Sequence, residues 1–253
     1  MTKFITISII IALNILITGC EEKKKDSTPS AAALFLLSRG STGSCASGAT
    51  TSISNTALGT TSASATQYTI SGCDTNSLNA LGFSSQNIST GATGTSVNSK
   101  IAANGDLFSA GDVNIEITFS LNSANAYLEV IGQGSGNAAN IDGPAIRINP
   151  TNTQARGTGR ATLANITSTT TSVGQTVTYC LDFHNESPSF HAVVWASSCT
   201  SVSTTDRNNY TGREATVPST FPGKRIGFIL NNATLTSFTV RTKVGTAVNL
   251  LEF

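Results

Sequence analysis

The amino-acid sequence predicts an all-β domain, an antiparallel β-sandwich, on the strength of three observations. Short segments alternate apolar and polar residues, as half-buried strands do. Clusters of Asn, Ser, Gly and Pro separate these segments, as turns do. Charged residues make up only 11% of the 253 residues, whereas Thr and Ser are abundant, and Thr favours strands. We predict no amphipathic helix after residue 40.

The first clear strands are predicted between residues 113 and 148. The alternating segment Val113–Phe119 indicates a strand with one buried face. A second strand covers Ala126–Val130, and the polar segment Asn122–Asn125 suits a hairpin turn between the two. Ala145–Ile148 is a third, shorter strand. The alternation places Glu129 on the outer face of its strand.

The second half of the chain contains four more predicted strands. They are Thr176–Phe183, Phe190–Ala196, Lys224–Leu230 and Leu235–Val244, the first two joined by a turn at Asn185–Ser189. Many short strands at this spacing favour a sandwich or barrel over a parallel sheet. Residues 41–66 carry few large apolar side chains. Two interpretations stay open for them: a flexible stalk, or irregular edge strands fixed by Cys45.

The order of the last strands resembles a known group of folds. The resemblance rests on Gly174–Phe183, Ala192–Ala196, Gly223–Phe228 and Leu235–Val240. An Ile-Gly-Phe strand followed by a Leu-x-x-Phe-x-Val strand is similar to the closing strands of concanavalin-A-like jelly rolls. That group includes legume lectins and laminin-G modules. The resemblance covers about residues 100–245 and implies a jelly roll, which we expect to form a single domain over residues 41–253.

The N-terminus resembles the export signal of bacterial lipoproteins. Lys3 precedes an apolar run from Phe4 to Ile17, which has the proportions of a secretory signal. The motif Ile17-Thr18-Gly19-Cys20 is similar to a lipobox. It implies a signal peptide over residues 1–19 and a lipid-modified Cys20, whose lipid holds the chain to the membrane. An ordinary signal peptide with a chance cysteine is the alternative.

Residues 20–40 are predicted to form a lipidated tether. The charged segment Glu21–Ser30 cannot bury enough apolar surface to fold, and Ala31–Leu37 is a short apolar patch. This arrangement is similar to that of leptospiral, hence spirochaetal, lipoproteins, and it implies an outer-membrane protein exposed at the cell surface. Glu21 and Glu22 keep a periplasm-facing alternative open, because acidic residues at these positions retain some lipoproteins in the inner membrane.

The cysteines predict two disulfides. Four of the five cysteines remain when the lipid-modified Cys20 is set aside, and an even number in an exported chain indicates disulfide pairing. We expect Cys45–Cys73 and Cys180–Cys199, because each pair brackets a local segment, while the other two connectivities stay open. The absence of a Cys-x-x-Cys motif argues against a cysteine metal site.

Composition and motifs argue against two classes of function. The 15 basic and 14 acidic residues balance, whereas nucleic-acid binding needs a concentrated cationic surface. No serine-hydrolase elbow, zinc-protease helix or phosphate-binding loop occurs. Glycosidases on the concanavalin-A-like fold carry a Glu-x-Asp-x-x-Glu strand, which is absent here. Glu116 and Glu129 are isolated and are predicted to be solvent-facing, so we predict no enzyme.

Metal ligands are sparse in the sequence. His184 and His191 flank the predicted turn at residues 185–189, and no third ligand is visible, so we favour surface histidines over a weak metal site. Asp106, Asp112 and Asp142 offer oxygens for a structural Ca²⁺, but no EF-hand spacing supports one. We therefore predict no cofactor.

Three residues are candidates for ligand binding. Trp195 is the single tryptophan; it serves either as a sugar-stacking platform or, as we favour, as packing near Cys199. Arg156 and Arg160 bracket a glycine-containing loop that suits an acidic ligand such as a sulfated glycan, although a plain loop is the simpler interpretation. We predict a non-catalytic surface lipoprotein that binds a glycan or a host or matrix protein. A periplasmic structural or assembly lipoprotein and a polysaccharide-active enzyme are the alternatives.

Overall fold

The structure of the chain is a computed structural model. It describes residues 45–55, 60–108, 113–157, 159, 162–167, 170–186, 189–202, 214–217 and 223–243. All of them belong to one compact unit, Thr42–Phe253. The predictions for Cys20, the tether, Asp112 and Arg160 lie outside these residues and stay predictions.

Strands dominate the described part of the chain. They are β1 (Ala46–Ser47), β2 (Thr51–Asn55), β3 (Thr60–Thr69), β4 (Phe83–Gln86), β5 (Ile88–Ser89), β6 (Thr93–Gly94), β7 (Lys100–Ala103), β8 (Val113–Leu121), β9 (Tyr127–Gln133), β10 (Ala145–Ile148), β11 (Thr153–Arg156), β12 (Thr162–Thr167), β13 (Thr176–Glu186), β14 (Ser189–Trp195), β15 (Glu214–Val217), β16 (Arg225–Asn231) and β17 (Ala233–Lys243). One short helix, α1 (Thr75–Ala80), and 3-10 turns at Ala138–Asn140 and Cys199–Ser201 complete the described elements.

The described strands form two antiparallel sheets. The main path of the ten-stranded sheet is β1-β3-β17-β8-β13-β14-β15. The seven-stranded sheet has the order β12-β11-β10-β9-β16-β7-β4. Every pairing along both paths is antiparallel. The predicted antiparallel β-sandwich is therefore confirmed.

The core lies between the two sheets and follows the predicted alternation. Ile115 and Ile117 of β8 face it from one sheet, and Val130 and Phe228 face it from the other, each at 0% exposure. The rings of Phe228 and Phe238 meet across the sheets with centroids 4.9 Å apart. Burying each of these side chains stabilises the fold by about 1.5–3 kcal/mol before conformational entropy is counted.

The predicted hairpin at Asn122–Asn125 is wrong. β8 belongs to the ten-stranded sheet and β9 to the seven-stranded sheet, so this segment crosses from one layer to the other. The connection between β16 and β17 crosses beside it, and the Asn122 amide donates to the Asn232 carbonyl at 2.8 Å. Asn232 has a φ of 49°, a left-handed conformation that asparagine tolerates. Alternation shows which face of a strand is buried but not which strand pairs with it.

The structure also contains one short helix that the sequence pattern does not predict. The helix α1 spans only Thr75–Ala80, which is too short for an amphipathic period to show in the sequence. It is specified by its N-cap instead, since the Asp74 carboxylate accepts from the Ser77 amide at 2.8 Å. Among the described residues, no helix is long and apolar enough to cross a membrane.

The two predicted disulfides are confirmed. The described residues between 45 and 66, for which a stalk or edge strands were predicted, form strands. Disulfides join Cys45 to Cys73 and Cys180 to Cys199. The described residues between 45 and 66 form β1, β2 and the start of β3, and both β1 and β2 pair with the same edge of β3. The edge-strand interpretation therefore holds for this part of the chain.

Candidate functional site

A segment of the chain covers half of the outer face of the seven-stranded sheet. Ile141 and the turn Ala138–Asn140 pack on Ala102, Ile131 and Ile229, whose side chains point away from the main core. Gly227 makes room for this cover, because a Cβ there would lie 2.0 Å from Ile141 Cδ1. The cover thus lies over β7, β16 and part of β9.

The other half of this outer face carries a row of polar side chains. The strand register places Glu129 of β9 opposite Arg147 of β10, Arg147 opposite Gln154 of β11, and Gln154 opposite Asn165 of β12. Directly opposed residues on one face lie within contact distance. These four strands therefore present a carboxylate, a guanidinium and two amides side by side.

Glu129 sits at the centre of a charged cluster, called here the Glu129 cluster, that also contains Tyr127, Arg147 and Arg156. Its Oε1 atom accepts from Arg147 Nε at 2.5 Å and lies 2.5 Å from Arg147 Nη2 and 3.8 Å from Arg156 Nε. Glu129 is 0% exposed, while the Arg147 side chain is 18% exposed and that of Arg156 is 11% exposed. The carboxylate is thus buried beneath two guanidinium groups that still reach solvent.

Tyr127 supports the cluster from one side. The Arg147 guanidinium carbon lies 3.8 Å from the centroid of the Tyr127 ring, a cation–π contact. Arg156 is held from the other side, because its Nη1 donates to the Thr162 hydroxyl. Both guanidinium groups are therefore fixed before any ligand arrives, which reduces the entropy lost on binding.

Amide side chains extend the polar surface towards the sheet edge. Gln154 Nε2 donates to Asn165 Oδ1 at 3.2 Å, and Asn152 Nδ2 donates to the same oxygen at 3.4 Å. Asn149 Nδ2 donates to Asn152 Oδ1 at 2.8 Å. These amides form a linked row, called here the amide row, of fixed donors and acceptors beside the Glu129 cluster. Such a surface can recognise a ligand rich in hydroxyl or carboxyl groups.

Among the predicted ligand-binding residues, Arg156 lies within this surface, but Trp195 does not. Trp195 is only 2% exposed and packs with Val193, Val202 and the Cys180–Cys199 disulfide on the outer face of the other sheet. It therefore presents no open ring face for a sugar, which corrects its inclusion as a binding residue and supports the packing interpretation. Arg160 lies outside the described residues.

The prediction of solvent-facing glutamates is wrong for Glu129 and incomplete for Glu116. Glu116 is on the outer face of the ten-stranded sheet, where its side chain is 22% exposed. It accepts from the Cys199 amide at 2.7 Å and lies 3.6 Å from Arg241 Nη2. Burial lowers the pKa of Arg241, and the charge of Glu116 partly offsets that effect. The predicted face is right for both residues, but Glu129 is buried beneath Arg147 and Arg156, and the segment at Cys199 partly covers Glu116.

The two described aspartates among the candidate metal ligands have different partners, whereas the two histidines lie next to each other. Asp106 pairs with Arg225 at 3.3 Å, and Asp142 accepts from the Gly143 and Gly159 amides. His184 and His191 oppose each other on β13 and β14. Within the part of the chain that the structure describes, no group of three or more His, Cys, Asp or Glu side chains could hold a metal ion.

Comparisons with known proteins return similar structures only. No family model and no curated protein matches the sequence. A protein of unknown function from Shewanella oneidensis MR-1 is similar over 90% of this chain and 100% of its own, with 14% identity and a TM-score of 0.46. A carbohydrate-binding module from Bacillus subtilis is similar over 65% of this chain and 96% of its own, with 11% identity and a TM-score of 0.37. Peanut lectin is similar over 72% of this chain and 99% of its own, with 8% identity and a TM-score of 0.41. The similar solved structures thus include a carbohydrate-binding module and a lectin.

Proposed function

We propose that the chain is a non-catalytic glycan-binding module and that its binding surface is the half of the outer face of the seven-stranded sheet that no described segment covers. The observation that carries this proposal is the Glu129 cluster, in which Glu129 fixes two arginines and one of them, Arg147, lies on the ring of Tyr127. Arginine donates two parallel hydrogen bonds in a fixed plane, which suits a carboxylate or a pair of sugar hydroxyls. The Tyr127 ring lies 3.8 Å from the Arg147 guanidinium carbon and holds that donor in place for a ligand.

The cost of burying Glu129 supports a role in binding. A buried ion pair gives little net stability compared with apolar residues of the same size, because both charges lose water. Ile131 and Ala145, on the same face of neighbouring strands, show that this sheet accommodates apolar residues there. A charged cluster beside that apolar cover is therefore better explained by recognition than by stability.

Glu116 and Glu129, the two glutamates considered as catalytic acids, are not arranged for glycoside hydrolysis. Glycosidases place two carboxyl groups on either side of the scissile bond, about 5–9.5 Å apart. Glu116 and Glu129 lie on the outer faces of different sheets, and packed sheets are already about 10 Å apart. Glu129 Oε1 is also engaged by arginines, since it lies 2.5 Å from Arg147 Nη2 and 3.8 Å from Arg156 Nε. Binding without catalysis is the function this geometry supports best.

The binding proposal is tested with variants that leave the buried charges in place. Gln154→Ala and Asn165→Ala each remove an amide at the surface, and each should weaken binding to a glycan selected from an array by about 2- to 10-fold in titration calorimetry. Thr118→Ala is the matched control, because it removes a polar side chain from the outer face of the other sheet. Equal affinity of all three variants and the parent would refute this surface as the site, and the absence of any array ligand would refute glycan binding.

We further propose that Cys20 carries the lipid anchor and that the domain faces the outside of the cell, where glycans or matrix proteins are available. Protease treatment of intact cells, with a periplasmic protein as control, tests the location. Degradation of the domain while the control survives would support surface exposure. Protection until lysis would favour the periplasm-facing alternative, in which the partners are envelope proteins.

A further inference from the structure

We infer that His184 and His191 form a binding site for a divalent transition-metal ion on the outer face of the ten-stranded sheet. The site is independent of the proposed glycan surface, since the two lie on opposite sides of the sandwich. Imidazole nitrogen is a preferred ligand of Zn²⁺, Cu²⁺ and Ni²⁺, and it does not suit Ca²⁺ or Mg²⁺.

The two rings are at a separation that suits chelation. His184 and His191 are directly opposed in the β13–β14 pair, and their ring centroids are 5.2 Å apart with an interplanar angle of 31°. A metal ion bound at about 2.0–2.1 Å to one nitrogen of each ring, at a tetrahedral angle, places the centroids about 5 Å apart. The paired strands therefore hold the two ring centroids at the spacing that two ligands of one metal ion need.

A buried carboxylate orients one of the rings. His184 Nδ1 and Asp182 Oδ2 are 2.6 Å apart, and Asp182 is only 2% exposed. A carboxylate at this distance keeps the proton on Nδ1, so Nε2 is the nitrogen that carries the lone pair when the ring is neutral. Histidine ligands of metal ions commonly donate their other ring N–H to a carboxylate in this way, which fixes the ring and raises its basicity.

Further polar contacts are made by Asp182 and by His191. Asn114 Nδ2 donates to Asp182 Oδ1, so both carboxylate oxygens are engaged. On β15, the Thr216 hydroxyl lies 3.4 Å from His191 Nε2. Asn114, Asp182 and His184 thus form a linked chain leading to the ring pair. A bound cation next to this chain also offsets the charge of the buried carboxylate.

Copper binding provides the direct test, because these are the two histidines of the whole chain. The full-length chain, purified without a polyhistidine tag, is titrated with Cu²⁺ and examined by electron paramagnetic resonance. The expected result is one ion per chain with hyperfine coupling to two imidazole nitrogens. Coupling to fewer than two imidazole nitrogens, or no bound Cu²⁺, would overturn the proposal. This measurement needs no variant and therefore does not depend on the folding of one.

Variants then assign the roles with Zn²⁺ as the probe in calorimetry. His184→Gln and His191→Gln should each abolish measurable binding, and unchanged affinity in either would overturn the site. Asp182→Asn should weaken Zn²⁺ binding by about 10- to 100-fold while two-nitrogen coupling to Cu²⁺ persists, since Asp182 positions a ligand and is not one. Unchanged affinity in that variant would overturn its positioning role. Asp106→Asn, an exposed carboxylate near Arg225, is the control and should bind Zn²⁺ as the parent does.

Discussion

Replacing Glu129 by Gln removes the negative charge on which two arginines depend. Glu129 is 0% exposed, and its Oε1 lies 2.5 Å from Arg147 Nη2 and 3.8 Å from Arg156 Nε. The substitution keeps the size of the side chain and one carbonyl oxygen. It therefore tests the charge of the Glu129 cluster and not its packing.

The expected loss of stability follows from the burial of the Glu129–Arg147 pair. Removing one partner of a buried ion pair destabilises a protein by about 3–5 kcal/mol, because the other charge is left without compensation. The Arg147 side chain is 18% exposed, so water compensates part of the lost charge and the lower end applies, about 3 kcal/mol. For a domain of this size that corresponds to a melting temperature about 6–12 °C lower.

The assay is urea unfolding at neutral pH with the disulfides intact, with Glu116→Gln as the matched control. Glu116 is 22% exposed and lies 3.6 Å from Arg241, so its substitution should cost less than half as much. The double variant Glu129→Met with Arg147→Met should recover at least half of the stability lost in Glu129→Gln, but not glycan binding. A loss below about 1 kcal/mol in Glu129→Gln would show that the cluster is not a buried ion pair.

The remaining predictions concern the fold. Gly94→Ala should lower the free energy of unfolding by about 1–3 kcal/mol, because the added Cβ would lie 2.2 Å from the backbone carbonyl of Leu230. Gly105→Ala is the control, since a Cβ there would meet nothing within 4 Å. Equal urea midpoints for the two variants would contradict the close approach at Gly94. Reducing the disulfides, which span 28 and 19 residues, should cost about 3 kcal/mol each, and an unchanged midpoint would contradict this. The Ser77 hydroxyl and amide lower the pKa of the Asp74 carboxyl, so stability is lost as pH falls through that lowered pKa; Asp74→Asn should flatten the acid limb of the stability curve below about pH 4, and an unchanged limb would argue against the cap.

The strands and their buried faces could be predicted from the sequence because alternation is a local signal. Every apolar member of the Val113–Phe119 pattern faces the core, since side chains alternate between the two faces whatever the strand pairs with. The disulfides were predictable for a similar reason, because each pair closes a short segment. The path of the chain between sheets was not predictable, since a turn such as Asn122–Asn125 has the same composition in a hairpin and in a crossover.

The candidate site was predictable only in part. Arg156 was singled out by its place beside a glycine-containing loop, but its partner Glu129 lies on β9 and was predicted to face solvent. The pairing of Glu129 with Arg147 depends on the register of β9 with β10. One signal was present in the sequence. Tyr127 and Glu129 share one face of a strand whose other face is apolar, and an aromatic residue next to a charge is unusual on a face exposed only to water.

One physical cause explains why Glu116 and Glu129, both predicted to face solvent, are paired with other groups. Each outer face is crossed by a chain segment, Ala138–Ile141 over one sheet and Cys199–Val202 over the other, and each segment buries apolar residues of its own. A carboxylate at the margin of such a cover loses water and must be paired, as Glu129 is with arginines and as Glu116 is with the Cys199 amide and Arg241. The cover over the seven-stranded sheet ends beside the Glu129 cluster and leaves the amide row half-exposed or exposed. A margin of this kind fixes charged groups on their buried side and leaves their other side open to a ligand. For that reason we propose that the binding surface lies there and not at the buried tryptophan.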